Sequence, residues 1–283
     1  MIKYVYPHLP SIKTNPFFRF TGSGLANSLF VFARAIVFAK EHNLDIINPT
    51  WFNISPRHWR YKDKRFYNDT FKPVGVTGLK RLKLLLLGKM VKEENYTGND
   101  MDADWVQIFY MKGFETLRAK SSFVREFLLE SVKPEILSPV NSFDFHNKIA
   151  VHIRLGDYKA EARLSLSYYK TLIERIHEQK PQYEFLVFSD GKDEELTEVL
   201  NLPCTRKVYF GYAMSDILAI SRCKALIGSH STFTDWGGYL GQLPSLLPKK
   251  PHYGSYLNDL NFEFIVDKES PIVPEEFFSL IID

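Results

Sequence analysis

The second half of the chain repeats one unit, in which an apolar run of strand length is followed by a short polar loop and an amphipathic helix. The predicted strands occupy 148–154, 183–189, 207–210 and 225–228, and the predicted helices occupy 167–179, 193–200, 215–223 and 232–240. Strands that alternate with helices at this spacing form a parallel sheet with right-handed crossovers. The pattern therefore predicts an α/β fold with a doubly wound parallel sheet.

The first half shows the same alternation less regularly. Predicted elements are a strand at 17–20, a glycine turn at 21–24, a helix to residue 42, a strand at 45–48, an irregular aromatic-rich segment at 50–75, a basic helix at 79–92, a strand at 105–111 and a helix at 122–131. Pro134 and Pro139 bracket a predicted linker. A length of 283 residues suits two domains, which we place at 1–140 and 141–283.

Charge and cysteine content exclude several classes of protein. Lys and Arg number 36 against 33 Asp and Glu, and this balance is unsuited to a large phosphate footprint, so we expect no nucleic-acid partner. Cys204 and Cys223 form no disulfide framework and no zinc set, which favours a reducing compartment. No apolar run reaches the length of a membrane span or a signal peptide. We therefore expect a cytoplasmic protein.

Three polar loops follow predicted strands, at 154–157, 189–191 and 229–232. Ligands of parallel sheets lie outside the carboxyl ends of the strands, so one crevice could collect all three loops. Side chains alternate along a strand, so His152 and Arg154 point to the same side. A planar guanidinium at this edge suits a diphosphate. The alternative is an ion pair of Arg154 with Asp157 that closes the loop.

The other two loops also allow a functional and an ordinary interpretation. Small hydroxylated residues at 228–232 end a strand and open a helix, which offers hydroxyls, backbone N–H groups and a positive helix end to an anion. An ordinary N-cap formed by Ser231 or Thr232 explains the same residues. Asp190 could accept hydrogen bonds from a base or a ribose, or could cap the next helix.

Two further motifs match known ligand sites only in part. Gly22 and Gly24 begin a dinucleotide fingerprint, but Asn27 stands in place of its third glycine. A glycine turn that lets the backbone approach a ligand is the simpler interpretation. The acidic residues Asp100, Asp102 and Asp104 follow no apolar strand, so a solvated turn is favoured over a metal motif.

Four segments in order resemble glycosyltransferase family 11, the α-1,2-fucosyltransferases. VHIRLGDY at 151–158 resembles the family's H-x-R-R-G-D-Y, FSDG at 188–191 resembles F-S-D-D, SHSTFTDWGGYL at 229–240 resembles S-x-S-S-F-S-W-W-A-A-Y-L, and GLANSLF at 24–30 resembles G-L-G-N-Q-M-F. Leu155 stands at the family's second arginine, Gly191 at its second aspartate and Asp235 at a tryptophan.

The resemblance implies a GT-B fold, with two Rossmann-like domains that face a central cleft. The N-terminal domain would lie on the acceptor side, and the C-terminal domain would bind the nucleotide sugar. The implied reaction is an inverting, metal-independent transfer of L-fucose from GDP-β-L-fucose to a glycan hydroxyl, the 2-OH of a terminal galactose. A transferase that uses another nucleotide sugar and a non-catalytic GDP- or glycan-binding protein are the alternatives.

The resemblance also suggests roles for individual residues. Arg154, Ser231 and Thr232 would bind the diphosphate. The remaining donor-binding candidates are His152, Ser189, Asp190, Ser229 and His230, and Gly22, Gly24 and Asn27 would line the cleft from the first domain. Asp157 and Glu161 are the candidate bases. No cofactor or metal is expected besides the co-substrate.

The acceptor side is less defined by these motifs. Trp51, Trp59 and Tyr61 belong to an aromatic loop that we expect to contact a galactose-containing or lipid-linked acceptor. The basic segment 79–92 is compatible with a peripheral contact at the inner face of a membrane, because basic amphipathic helices bind anionic lipid. A solvated face on a core helix explains that segment equally.

Overall fold

The chain forms two compact units, each built around its own parallel sheet. The computed structural model describes residues 2–54, 67, 69–98, 102–109, 113–156, 163–251 and 253–281. Unit 1 comprises Met1–Pro134 and unit 2 comprises Glu135–Asp283. Both units combine parallel strands with helices, so the predicted α/β class is confirmed. Among the described residues, no helix has both the length and the hydropathy needed to cross a membrane.

Unit 1 has a four-stranded parallel sheet in the order β4-β1-β7-β6. Its strands are β1 (Tyr4–Pro7), β4 (Asp45–Ile46), β6 (Met90–Lys92) and β7 (Trp105–Ile108). A second sheet, in the order β2-β3-β5, joins β2 (Ser11–Thr14), β3 (Arg19–Gly22) and β5 (Asn53–Ile54). The α-helices in the described part of this unit are α1 (Leu25–His42), α2 (Gly78–Leu87) and α3 (Ser121–Ser131). Helix α1 ends where Asn43 adopts a left-handed φ of 53°.

The structure corrects two predictions, one within unit 1 and one at its boundary with unit 2. The predicted helix at 79–92 ends at Leu87, and residues 90–92 form strand β6, because Met90 pairs with Trp105 of β7. The linker predicted at Pro134 and Pro139 is a helix, α4 (Pro134–Asn141). A proline is tolerated in the first turn of a helix, and tertiary contacts hold the rest. The Ser215 hydroxyl donates to the carbonyl of Ile136 at 2.8 Å.

Unit 2 has a six-stranded parallel sheet in the order β10-β9-β8-β11-β12-β13. Its strands are β8 (Lys148–Ile153), β9 (Glu184–Ser189), β10 (Thr205–Lys207), β11 (Ala225–Ile227), β12 (Ser245–Leu247) and β13 (Glu263–Ile265). Besides α4, the α-helices among the described residues of this unit are α5 (Leu166–Gln179), α6 (Thr197–Leu200), α7 (Ala213–Ile220), α8 (Thr232–Gly241) and α9 (Glu275–Leu280). The strand predicted at 207–210 lies at 205–207 instead, where it pairs with β9.

The central strands of unit 2 are buried on both faces, which explains their continuous apolar runs. Ile149, Ala150 and Val151 of β8 are fully buried, as are Phe185 and Val187 of β9. Such strands leave polar side chains only at their ends. The polar residues that follow β8, β9 and β11 therefore lie along one edge of the sheet.

Candidate functional site

Sheet order brings the three predicted loops together in unit 2. Strands β9, β8 and β11 are neighbours and parallel, so their carboxyl ends lie side by side. Arg154 follows β8, Asp190 follows β9, and the loop 228–231 follows β11 and leads into α8. This edge is where ligands of doubly wound sheets bind. We refer to the residues 152–156, 189–191 and 228–234 as the loop cluster.

Arg154 and Asp190 form an ion pair at the centre of the loop cluster. The second oxygen of Asp190, Oδ1, accepts the backbone N–H of Leu155 at 2.9 Å. Asp190 therefore fixes both the side chain of Arg154 and the backbone that follows it, and these contacts differ from the helix cap considered above. The Arg154 side chain is 27% exposed, so its guanidinium is held in place without being removed from solvent. Asp157, the alternative partner, lies outside the described residues.

Two glycines allow the loops after β8 and β9 to approach each other this closely. A Cβ on Gly156 would lie 2.1 Å from Oδ2 of Asp190, and one on Gly191 would lie 2.6 Å from Cδ1 of Leu155. Both distances are shorter than any side chain tolerates. Leu155 itself is buried in the core of unit 2. Two of the departures from the family motifs, Leu155 and Gly191, are thus neighbours, and an apolar contact stands where the motifs have an arginine and an aspartate.

His152 connects strand β8 to the start of helix α8. Its Nδ1 lies 2.6 Å from Oγ1 of Thr234 and 3.1 Å from Oγ of Ser229. The backbone N–H of Ser229 also donates to Oγ1 of Thr234, at 3.2 Å. The imidazole stacks on Phe233 with ring centroids 5.0 Å apart. These contacts fix the distance between the strand that carries Arg154 and the helix that begins at Thr232.

Burial keeps this histidine uncharged. The apolar surroundings, together with the positive charge of Arg154, lower the pKa of His152 to about 3, and the charge of Asp190 opposes this only weakly. Because the ring is neutral near pH 7, it contributes hydrogen bonds and packing rather than a positive charge. Its contact with guanosine or fucose stays a prediction. Thr234 was not among the predicted site residues, although it stands at a serine of the family motif matched by 229–240.

Helix α8 begins with a capped N-terminus that faces the loop cluster. Oγ of Ser231 accepts the backbone N–H of Phe233 at 3.3 Å, so Ser231 is the N-cap, and its hydroxyl proton is still available to donate. The helix dipole makes this end positive. Asp235, in the first turn, is buried, and burial raises its pKa well above the usual range. This direction favours the uncharged form more than in an exposed aspartate, which reduces its opposition to the positive end.

The remaining residues predicted for the donor site in unit 2 are distributed along the same loops. Oγ of Ser189 accepts the N–H of Gly191 at 3.1 Å. His230 follows the buried Ser229, and Thr232 is the first residue of α8. The candidate base Glu161 lies, like Asp157, outside the described residues.

The residues predicted for the cleft belong to unit 1. The N–H of Gly22 donates to Oδ1 of Asn53 at 2.9 Å, and a Cβ on Gly22 would lie 2.8 Å from the buried guanidinium of Arg19. Gly24 precedes α1 as its N-cap, and Asn27 lies in the first turn of that helix. That Gly22, Gly24 and Asn27 line a cleft with the second domain stays a prediction.

The predicted acceptor loop around Trp51 and the acidic turn at 100–104 lie only partly within the described residues. Trp51 is a core residue, because it is buried and stacks on Phe71 with ring centroids 4.3 Å apart, while Trp59 and Tyr61 lie outside the described residues. Asp104 accepts the backbone N–H of Lys89 at 2.8 Å, whereas Asp100 is not described. Within the described ranges, no three His, Cys, Asp or Glu side chains come together as a metal site.

Comparison with known proteins identifies the family. The model of glycosyl transferase family 11 matches residues 93–246, which is more than half of the chain and contains the whole loop cluster. The chain belongs to glycosyltransferase family 11. The family resemblance inferred from the four motifs is thereby confirmed.

Among curated proteins, the O-antigen biosynthesis glycosyltransferase WbnK of Escherichia coli is 24% identical over 141 residues. That match covers 44% of this chain and 47% of WbnK, so the chain spans about half the length of this relative.

Solved structures of fucosyltransferases share the fold. NodZ from Bradyrhizobium is 14% identical, with a TM-score of 0.54 over 86% of this chain and 94% of NodZ. Arabidopsis thaliana FUT1, an R284K mutant in complex with GDP, is 11% identical, with a TM-score of 0.55 over 96% of this chain and 76% of FUT1. A NodZ α-1,6-fucosyltransferase structure soaked with GDP-fucose is 15% identical, with a TM-score of 0.54 over 86% and 94% of the two chains. These likenesses confirm the predicted GT-B fold class.

Proposed function

We propose that this chain transfers L-fucose from GDP-β-L-fucose to a glycan hydroxyl, with inversion and without a metal ion, and that the acceptor hydroxyl is the 2-OH of a terminal galactose. Membership of family 11 supports glycosyl transfer, and the neighbours in complex with GDP or GDP-fucose support the donor. The observation that carries the proposal is Arg154, which Asp190 holds at the carboxyl end of β8, while the neighbouring strand β11 leads into the capped start of helix α8.

The proposed chemistry follows from this placement. As the bond between the sugar carbon and the diphosphate oxygen breaks, the sugar acquires oxocarbenium character and negative charge grows on the diphosphate. Arg154, the hydroxyl of Ser231 and the positive end of α8 would stabilise that charge. One preorganised donor of this kind typically contributes about 10²- to 10³-fold in rate. The acceptor oxygen forms the new bond and loses its proton to a base, for which Asp157 and Glu161 are the candidates.

The two units would divide the substrates between them. We assign the donor to the C-terminal domain, 141–283, because the loop cluster lies in unit 2. The acceptor is assigned to the N-terminal domain, 1–140, where Gly22, Gly24 and Asn27 offer a turn and a helix start. His152 and Asp190 serve this site chiefly by positioning, since their described contacts are with Thr234 and Arg154.

The test is incubation with GDP-fucose and a panel of β-galactosides in the presence of EDTA. We expect fucosylated product and release of GDP, with Arg154→Lys lowering turnover about 10²-fold or more because a lysine cannot form the same planar contact. Arg175→Lys, on the exposed surface of α5, is the matched control and should retain full activity. Turnover with another nucleotide sugar alone would establish a different donor. Binding of GDP without turnover of any sugar would indicate a non-catalytic binding protein.

An apolar and basic surface on unit 1 supports a second proposal, contact with a membrane that carries a lipid-linked acceptor. Every residue of α2 is at least partly exposed. Leu79, Leu86 and Leu87 are 84%, 61% and 77% exposed, which is unusual for the outer face of a helix. Lys80 and Lys83 lie among them. Leucines that enter the interface and lysines that attract anionic headgroups are typical of helices that lie on a membrane. The inner, cytoplasmic face is the anionic one.

Liposome sedimentation tests this contact. The chain should partition to vesicles of phosphatidylglycerol and phosphatidylcholine more strongly than to phosphatidylcholine alone. The double variant Lys80→Gln/Lys83→Gln should weaken binding about tenfold or more, because each basic residue near the surface contributes about 1 kcal/mol. Lys249→Gln/Lys250→Gln in unit 2 is the charge-matched control. Equal partitioning of both double variants would contradict the proposal.

A further inference from the structure

A cavity of about 270 Å³ lies at the carboxyl edge of the parallel sheet of unit 1. It is lined by His8, Lys92, Glu93, Glu94, Gln107 and Phe109. These residues come from the ends of β1, β6 and β7, which are neighbours in the sheet. Ligands of open parallel sheets bind outside this edge. The cavity thus occupies, in unit 1, the position that the loop cluster occupies in unit 2.

The cavity lies at one end of a row of side chains that crosses the sheet. Alternation places Tyr6 and His8 on one face of β1, and Trp105, Gln107 and Phe109 on the corresponding face of β7. Helix α2 covers the first part of the row, since Nε1 of Trp105 donates to the carbonyl of Leu84 at 3.1 Å. His8 and Phe109 lie past this cover, with ring centroids 5.1 Å apart. The row therefore passes from core to cavity without a break.

Three polar side chains of the cavity, His8, Gln107 and Glu93, are held in place by partners. Nε2 of Gln107 lies 2.7 Å from Nδ1 of His8. An amide nitrogen can only donate, so Nδ1 accepts and the proton of the neutral ring lies on Nε2. Burial and the nearby charge of Arg19 lower the pKa of His8, which keeps the ring neutral. The carboxylate of Glu93 is paired with the buried guanidinium of Arg34 from α1.

The charges of the cavity balance, which decides the class of ligand. Arg34 neutralises the carboxylate of Glu93, and Nζ of Lys92 lies 3.7 Å from Oε1 of Glu94. Because each charge has an opposite partner, the cavity favours neither an anionic nor a cationic ligand. The cavity therefore offers a ligand hydrogen-bond donors and acceptors, beside the aromatic ring of Phe109, which is 40% exposed. Sugar hydroxyls both donate and accept, and the ring carbons of a sugar provide an apolar face. The volume lies just below the range of about 300–1,000 Å³ for drug-sized ligands, which suits a single sugar ring.

We propose that this cavity binds one neutral sugar ring of the acceptor glycan, through hydrogen bonds to His8, Gln107 and Glu94 and apolar contact with Phe109. The assignment of the sugar to the acceptor rests on the proposed fucosyl transfer. The site itself is defined by its own geometry in unit 1, independently of the loop cluster. This proposal places an acceptor contact at the carboxyl edge of the sheet of unit 1 instead of in the aromatic loop around Trp51.

Three variants test the site through acceptor kinetics. Gln107→Leu, Glu94→Gln and Phe109→Ala should each raise the KM for lactose about 3- to 10-fold at saturating GDP-fucose, as expected for one lost hydrogen bond or apolar contact. The Kd for GDP, measured by calorimetry, should stay within about twofold of the parent value. Phe17→Ala removes another exposed phenylalanine of unit 1, at a different cavity, and is the matched control. An unchanged KM in all three variants would overturn the proposal.

A binding measurement separates failure of this site from failure of the proposed reaction. If the parent protein fucosylates no galactoside, saturation-transfer NMR with methyl β-D-galactopyranoside still reports on the cavity. Binding that weakens about 3- to 10-fold in Glu94→Gln but not in Phe17→Ala would support the site. Absence of binding to the parent protein, or equal binding to both variants, would refute it. Glu94 is exposed, so its substitution tests the cavity even if Gln107→Leu fails to fold.

Discussion

The buried His152 predicts a specific loss of stability in acid. A histidine that is neutral in the folded protein and has a pKa of about 3 there must bind its proton mainly after unfolding, where the pKa is about 6.5. Above pH 6.5 both states are unprotonated and the residue adds no pH dependence. As the pH falls below 6.5, His152 becomes protonated in the unfolded state but stays neutral in the folded state. Stability is therefore lost progressively between about pH 6.5 and pH 3.

The size of the effect follows from the difference between the two pKa values. Each pH unit in this window lowers the free energy of unfolding by about 1.4 kcal/mol. Between pH 7.5 and pH 5, His152 should therefore cost about 2 kcal/mol. Burial is the main structural reason and the nearby charge of Arg154 adds to it, because a protonated ring would have to replace a neutral one in an enclosed position.

Urea unfolding at pH 7.5 and pH 5 measures the contribution of His152 to the pH dependence of the free energy of unfolding. In His152→Gln, which cannot titrate, the difference in unfolding free energy between the two pH values should shrink by about 2 kcal/mol. His146→Gln replaces an exposed histidine of the same unit and should retain the parent difference within about 0.5 kcal/mol. The reasoning is refuted if His152→Gln and the parent protein lose the same stability on acidification.

Substitutions at two further positions, Gly156 and Thr234, test the geometry of the loop cluster. Gly156→Ala places a Cβ on Oδ2 of Asp190, so the ion pair with Arg154 must shift, and turnover measured with GDP-fucose should fall about tenfold to a hundredfold while the unfolding transition is kept. Thr234→Val leaves the N–H of Ser229 unpaired and should cost about 1–3 kcal/mol in urea unfolding. Thr234→Ser retains the hydroxyl and should cost only about 0.8 kcal/mol for the lost methyl group. Equal losses in the two threonine variants would rule out the role of the hydroxyl.

Strands β8 and β9 and helix α5 of unit 2 were predictable because buried parallel strands and amphipathic helices have simple sequence signatures, whereas β12, β13 and α9 were not predicted. Strands β8 and β9 are continuous apolar runs, and α5 has a clear helical period, so their positions agree with the predictions within one residue. The errors lie where local preference and tertiary pairing disagree. The leucine- and lysine-rich run continues past Leu87 with good helix formers, yet residues 90–92 find a strand partner in β7. Pro139 suggests a break, yet it lies inside α4.

The sequence by itself determined which residues stand at strand ends, because burial on both faces of a parallel sheet confines polar side chains to those places. That argument singled out Arg154, Asp190 and Ser231. Only the tertiary structure decided their partners. Arg154 meets Asp190 across 36 residues of chain, His152 meets Thr234 across 82, and Gln107 meets His8 across 99. Such pairings depend on the order of strands in the sheet, and strand order results from packing of the whole unit, which no local period of apolar residues encodes.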